Sequence, residues 1–345
     1  MKKNIAFAII FTLLGSACQD TSTIENNQAV ASISSNSCES ANYLTGDASD
    51  TVNKTKAGLV LMGGGKDVDV AFKEMIKNSG GGDFVILRVS GTDGYNPYVY
   101  SQLGGVNSIE TLVIDSKEKA NCPETLEKIK NAEALFIAGG DQSKYYQYWN
   151  NSKVKEGLNY LVNEKKITIG GTSAGLAILG EIVYTAENAS VDSQDVLKDP
   201  LTEKITLKKD FLDIPLLKNI ITDTHFAQRN RQGRIIGFMA NAINNNLTSI
   251  DKLKGIGVDE NTAVFLDEKG IGKVFGKNNA WFFRASSIPE SYKPFSWIKA
   301  PVKTLKIMAT DTGVNSFDIN NWKINTGFSE QVNYYIKQGE LVTNR

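Results

Sequence analysis

The chain has 345 residues with 38 basic and 38 acidic groups, 41% apolar residues, three cysteines and a single histidine. That length supplies one large domain or two small ones, and the apolar share with 22% charged residues belongs to a globular protein rather than a disordered one. A formal net charge of zero argues against a nucleic-acid binder, which needs a basic face, and a single His with few Cys argues against a zinc site of the usual nitrogen and sulfur ligands.

At the N-terminus, Lys2 and Lys3 precede a mostly apolar run, Ile5 to Leu14, that is too short to span a bilayer as a permanent helix. Gly15, Ser16 and Ala17 then lead into Cys18, a pattern that resembles a bacterial lipoprotein signal: residues 1–17 would be removed and Cys18 lipidated. Plain secretory cleavage near Ala17 is the other reading, and both carry the protein out of the cytoplasm. Residues 18–56 are rich in Ser, Asn, Thr and Asp without an apolar period, and read as a solvated tether between anchor and domain. Cys38 and Cys122 could pair in an oxidising compartment and pin this segment to the domain.

The fold is expected to begin near Gly58. Leu59 to Met62 reads as a buried strand that ends in Gly63-Gly64-Gly65. Val68, Ala71, Phe72, Met75 and Ile76 then share one helix face, with Asp67 as N-cap. Further strands are predicted at Phe84 to Val89, Thr111 to Ile114, Ala134 to Ala138 and Ile167 to Ile169. Helices are predicted at Glu124 to Asn131, after Pro123, and around Val154 to Val162. Short apolar runs alternating with helices imply βαβ units, hence an α/β fold with a mostly parallel sheet flanked by helices. Beyond about residue 256, Val264 to Leu266, Lys273 to Phe275 with Phe282-Phe283, Leu305 to Ala309 and Val332 to Ile336 read as short antiparallel strands.

Gly171-Thr172-Ser173-Ala174-Gly175 lies between the strand at 167–169 and an apolar helical stretch, the context of a nucleophile elbow with Ser173 at its apex. Serine needs a base, and the single His225 follows the strand-like Asn219 to Thr222, so it too sits at a strand end. A carboxylate should fix the imidazole tautomer. Between Ser and His the candidates are Glu181, Glu187, Asp192 and Asp195, with Glu187, just past Ile182-Val183-Tyr184, the first choice. Downstream, Arg229, Arg231 and Arg234 would make a carboxylate-binding patch; an internal Asp or Glu is the alternative partner.

Four segments, taken in order, resemble the cyanophycinases, serine peptidases related to bacterial aspartyl dipeptidases. They are Gly139-Gly140-Asp141-Gln142, the elbow, the run Asp223-Thr224-His225-Phe226 through Arg234, and Gly255-Ile256-Gly257-Val258-Asp259-Glu260. The resemblance spans roughly residues 57 to 290 and leaves 291–345 as a β-rich extension. It implies a flavodoxin-like sheet of the glutamine-amidotransferase type, no metal or cofactor, a Ser–His–acid triad and a possible homodimer. It assigns Ser173 as nucleophile and His225 as base. Gly140, Asp141, Gln142 and the Ala174 amide would bind substrate and form the oxyanion hole, and the arginines would hold the aspartate part of a β-linked Asp-Arg substrate. Asp223 and Thr224 precede the His, with Thr224 standing where the family often has Gln. The combined expectation is an exported, lipid-anchored serine peptidase acting on aspartyl or β-aspartyl bonds. A catalytically silent peptide-binding protein and an esterase are its rivals.

Overall fold

The run Leu59-Val60-Leu61-Met62 is apolar throughout because neither of its faces meets water. The strand Gly58–Met62 lies inside a ten-stranded sheet with all four side chains buried. The computed structural model describes Cys38 and residues 41–344, so the expected signal 1–17, the lipidation site Cys18 and the first part of the expected tether lie outside the described residues. Five strands of this sheet run parallel, in the spatial order Ser108–Val113, Asp83–Arg88, Ala134–Ile137, Thr168–Thr172 and Gly58–Met62. The antiparallel strands Thr262–Asp267, Ile271–Gly276, Ser316–Asp318 and Lys323–Thr326 continue it past Gly58–Met62.

A second sheet holds nine strands, including the parallel set Lys254–Val258, Ile220–Asp223 and Ile182–Tyr184. Its antiparallel flank is Asn279–Arg284, Phe295–Met308, Glu330–Lys337 and Glu340–Asn344. The helix Gln232–Asn244 buries ten consecutive residues, Gly233 to Ala242, against this sheet in a cluster with Phe226, Phe283 and Trp297. The architecture is therefore α/β, with a parallel core and antiparallel C-terminal strands. Both sheets run through residue 290: Phe295–Met308 pairs with Asn279–Arg284, and Ser316–Asp318 pairs with Ile271–Gly276. The strands between residues 291 and 344 thus extend the two sheets.

Two local expectations are corrected. The helix Asp69–Asn78 is preceded by Val68 at its N-cap, without a side-chain cap, and Asp67 instead accepts from the Tyr95 hydroxyl. The tether assigned to 18–56 contains a strand, Ala41–Gly46, paired antiparallel with Ser108–Val113 over six residues. Backbone pairing at a sheet edge needs no apolar alternation, which is why composition alone reads this segment as unstructured. Asn96 donates to the Tyr43 carbonyl at 2.8 Å, and a Cys38–Cys122 disulfide closes the segment onto the domain across 84 residues of chain. Among the described residues, no helix is long and apolar enough to cross a membrane.

The loop-closure entropy of that span is worth about 4.5 kcal/mol. A Cys38→Ser, Cys122→Ser protein should accordingly show a lower urea midpoint than the oxidised chain and match it once the latter is reduced; coincident midpoints before reduction would contradict the bridge.

Candidate active site

Ser173 follows directly on the strand Thr168–Thr172 and precedes the short helix Ala174–Ala177, with φ 51° and ψ −119°. Such backbone costs about 1–3 kcal/mol and persists only where its surroundings hold it. They hold it through the amide of Ser173, which donates to Met62 O at 3.1 Å, and through flanking glycines. A Cβ at Gly171 would sit 2.6 Å from the Gly175 carbonyl carbon, and one at Gly175 2.8 Å from the Ala138 oxygen. The small residues of the motif are there because three backbone segments converge on the turn.

His225 caps the strand Ile220–Asp223, also with positive φ (45°), and its amide donates to Gly63 O at 2.8 Å. Its ring lies against Gly64, where a Cβ would come 2.6 Å from Nε2. This contact accounts for a glycine at the end of the strand Gly58–Met62. The Ser173 hydroxyl and His225 Nε2 are 2.7 Å apart, and His225 Nδ1 is 2.7 Å from Glu260 Oε1. A continuous hydroxyl–imidazole–carboxylate chain results, the arrangement that activates a serine nucleophile.

The carboxylate beside His225 is Glu260, which corrects the expectation for Glu187. Glu187 accepts from the Thr185 hydroxyl at 2.9 Å, and its amide donates to Thr206. Glu181 pairs with Lys218, while Asp192 and Asp195 form the capping box of the helix Ser193–Lys198. Glu260 arrives by register: Lys254–Val258 pairs parallel with Ile220–Asp223, Gly257 opposite Asp223, so the residues just beyond both strands meet at one sheet edge. A search confined to the chain between Ser and His misses it. The available signal was Asp259-Glu260 at the end of the next apolar run, Gly255 to Val258.

Burial lowers the His225 pKa below its ordinary 6.5; Arg229 and Arg231 push the same way, and Glu260 opposes them. The ring is therefore neutral at pH 7, as a general base must be, and protonates as pH falls through the depressed value.

The arginines divide by partner. Arg234 is 4% exposed and grips Asp223 in a two-pronged ion pair, Nε to Oδ2 at 2.9 Å and the second prong to Oδ1, while also donating to Val191 O at 3.1 Å. Arg231 reaches Asp223 at 3.3 Å and Thr224 O at 2.9 Å. Asp223 is thus the internal anion of this cluster, which corrects the expectation that Arg231 and Arg234 are free for substrate. Thr224 is buried, and its hydroxyl accepts from Arg231 at 3.2 Å. Arg229 is exposed and makes no ion pair among the described residues. All three arginines line a cavity of about 360 Å³ shared with Asp192 and Asp195.

The Gly139-Gly140 turn packs on the serine, a Cβ at Gly139 standing 3.4 Å from Ser173 Cβ, and the Tyr145 hydroxyl holds it through Gly139 O at 3.2 Å. Asp141 caps the helix Gln142–Trp149 through the Ser143 amide at 2.9 Å, and the Gln142 side chain donates from Nε2 to Tyr184 O. Asp141 and Gln142 thus both spend polar groups on the protein itself. Ala174, the first residue of the helix after Ser173, is 4% exposed.

A second buried carboxylate stands beside Glu260, at the end of the apolar run Gly255 to Val258. Asp259, 1% exposed, accepts from the Ala227 amide and Trp281 Nε1, both at 2.9 Å, and from the Asn279 amide and side chain at 3.0 and 3.1 Å. Directly beside Glu260 in the chain, it ties the turn that follows His225 to the strand Asn279–Arg284.

Residues 92–274 match peptidase family S51, a span of more than half the chain that contains Ser173, His225 and Glu260. The chain belongs to this family. A cyanophycinase of Synechococcus elongatus is 29% identical over 175 residues, which cover 51% of this chain and 49% of that protein. A cyanophycinase of Trichormus variabilis is 25% identical over 198 residues, 57% of this chain and 60% of that protein. The match thus spans about half the length of these curated relatives. Among solved structures, a peptidase from an acI-B1 Actinobacterium superposes with a TM-score of 0.48 at 17% identity, covering 68% of this chain and 96% of that one.

Two measurements check this geometry. With a single His in the chain, its imidazole NMR signals are unambiguous: the titration midpoint should lie below 6.5, rise in Arg229→Gln and fall in Glu260→Gln. An unmoved midpoint in both variants would refute the placement. Asp259→Asn turns an NH2 group toward buried N–H donors and should lower unfolding free energy by about 1–3 kcal/mol in a denaturant titration.

Proposed function

We propose that this S51 chain is an exported serine peptidase that hydrolyses peptide or isopeptide bonds at aspartyl residues. The observation that carries the reading is the hydrogen-bonded chain Ser173–His225–Glu260, with 2.7 Å at both links. Ser173 Oγ attacks the carbonyl carbon while His225 Nε2 takes the hydroxyl proton, Glu260 keeping the ring oriented and offsetting the charge on the imidazolium. His225 then passes that proton to the leaving amine as the C–N bond breaks. A water molecule, deprotonated by the same ring, releases the acyl group from Ser173. The amides of Ala174 and Gly140 are assigned to the developing oxyanion.

Arg229 is the guanidinium left for a substrate carboxylate, since Asp223 occupies Arg231 and Arg234. The cavity beside it also carries Asp192 and Asp195, a mixed lining suited to a substrate with both a carboxylate and a cation, as in an aspartyl unit bearing a basic side chain. Export rests on the N-terminal pattern ending in Cys18, with lipidation of that cysteine the favoured route and attachment to the bacterial envelope its consequence. The cyanophycinase likeness supports the aspartyl preference. An anchored enzyme outside the cytoplasm would scavenge external polymer or isoaspartyl peptides rather than mobilise an internal store.

Two isomeric peptides, linked through the β- or the α-carboxylate of Asp, test the reading. Wild type should cleave the β-linked isomer, Ser173→Ala should lose roughly three orders of magnitude or more, and Glu260→Gln about a hundredfold to ten-thousandfold. Glu187→Gln should stay near wild type. Saturable binding of both isomers without turnover would instead indicate a silent peptide-binding protein.

A further inference from the structure

Three cations stand side by side across three strands of the second sheet. Lys254 is the register partner of Arg284, and Arg284 that of Lys303, whose next neighbour is Asn333. Residues directly opposite one another project to the same face, about 4.8 Å from strand to strand, so three positive charges share one short row. Like charges so placed repel, and none of the three makes an ion pair among the described residues. The same sheet does neutralise another cross-strand lysine: Lys306 lies opposite Glu330 and pairs with it at 3.0 Å. The Lys254 ammonium rests over the Trp322 ring at 4.7 Å, and burial together with Arg284 lowers its pKa.

Arg284 and Lys303 open onto a cavity of about 340 Å³ lined also by Ile250, Asp251, Ala285 and Ser286. Asp251 is the acidic member of that lining, and a hydrogen bond with Ser249 holds its carboxyl below the usual range. Lys254 opens the strand whose far end leads to Asp259 and Glu260, so the row and the triad lie at opposite ends of Lys254–Val258.

We infer that Arg284 and Lys303, where the cation row meets the cavity, form an anion site, separate from the triad, for a phosphate group carried on a small polar moiety. A planar guanidinium and an ammonium on one cavity offer charge-assisted donors to a tetrahedral oxyanion, the Ser286 hydroxyl adds a neutral donor, and Lys254, whose ammonium rests over Trp322, adds positive charge from the neighbouring strand. The cavity exceeds the volume of a bare phosphate several-fold, so it accommodates the group that bears it. A bound phosphate also removes the repulsion that the register imposes. The same chemistry is offered by a soluble phosphate ester and by an anionic lipid headgroup.

The test uses the full chain carrying Cys18→Ser, so that no lipid anchor contributes, and compares it with the same chain bearing Arg284→Gln and Lys303→Gln. Glycerol phosphate should bind saturably in calorimetry, raise the melting temperature and lose affinity at least tenfold in the double variant. The binding should weaken with salt, and peptide cleavage should be unchanged. Co-sedimentation with phosphatidylglycerol vesicles, but not phosphatidylcholine vesicles, without response to glycerol phosphate would assign the site to a lipid headgroup. Absence of both responses, or equal binding by the double variant, would overturn the site. Because peptide cleavage is read in parallel, loss of the phosphate site and failure of the peptidase reading are distinguishable.

Discussion

The hydrogen bond from the His225 amide to Gly63 O joins the two sheets where the chemistry sits, and most of the site's geometry follows from that junction. Gly63 to Gly65 leave the strand Gly58–Met62 of the first sheet, while His225 leaves Ile220–Asp223 of the second. The glycine loop is held on its other side by the first sheet's own neighbouring strand and the turn before it: Gly63 donates to Thr262 O at 3.0 Å, and the Asn261 amide to Gly64 O at 2.8 Å. Each of the three residues in the hydrogen-bonded chain comes from a different strand end, and backbone bonds across the glycine loop hold those ends together. A side chain at Gly64 would occupy the imidazole's place, so the loop is glycine for contact as much as for conformation.

Two buried carboxylates hold the polar periphery in place. Asp223 carries its charge against Arg234 and Arg231, and Asp259 carries its own against four N–H groups. A buried charge of either kind is tolerated only when its lone pairs are met, and losing one partner leaves the rest unsatisfied. These networks are therefore all-or-none, and they lie within two residues of His225 on one side and next to Glu260 on the other. Rigidity of this kind suits a serine nucleophile, since a misplacement of about 1 Å at a reacting group can cost on the order of a hundredfold in rate.

The N-terminal segment and residues 291–345 extend sheets whose centres already hold the site. The strand Ala41–Gly46 covers one edge of the first sheet, and Lys323–Thr326 forms its other edge. Unpaired strand edges are sites of unwanted association, and the added strands with the Cys38–Cys122 bridge shift them away from the parallel core.

From the amino-acid pattern alone, the parallel core strands, the elbow at Ser173 and the importance of His225 could be read, because each has a local cause. Doubly buried strands need unbroken apolar runs, a strained turn needs small neighbours, and a single imidazole leaves no competitor. Glu260, Asp259 and the strand Ala41–Gly46 were not legible in that way. Glu260 reaches His225 through the register of two strands 34 positions apart, Gly257 opposite Asp223, a pairing that no neighbouring residue encodes. The arginine cluster shows both sides: its charges are plain in the chain, yet only the folded position of Asp223 separates Arg231 and Arg234, which it binds, from Arg229, which makes no ion pair among the described residues. Local sequence determined which residues could do chemistry; long-range strand pairing decided which of them meet, because side-chain contacts in a sheet are set by register and not by distance along the chain.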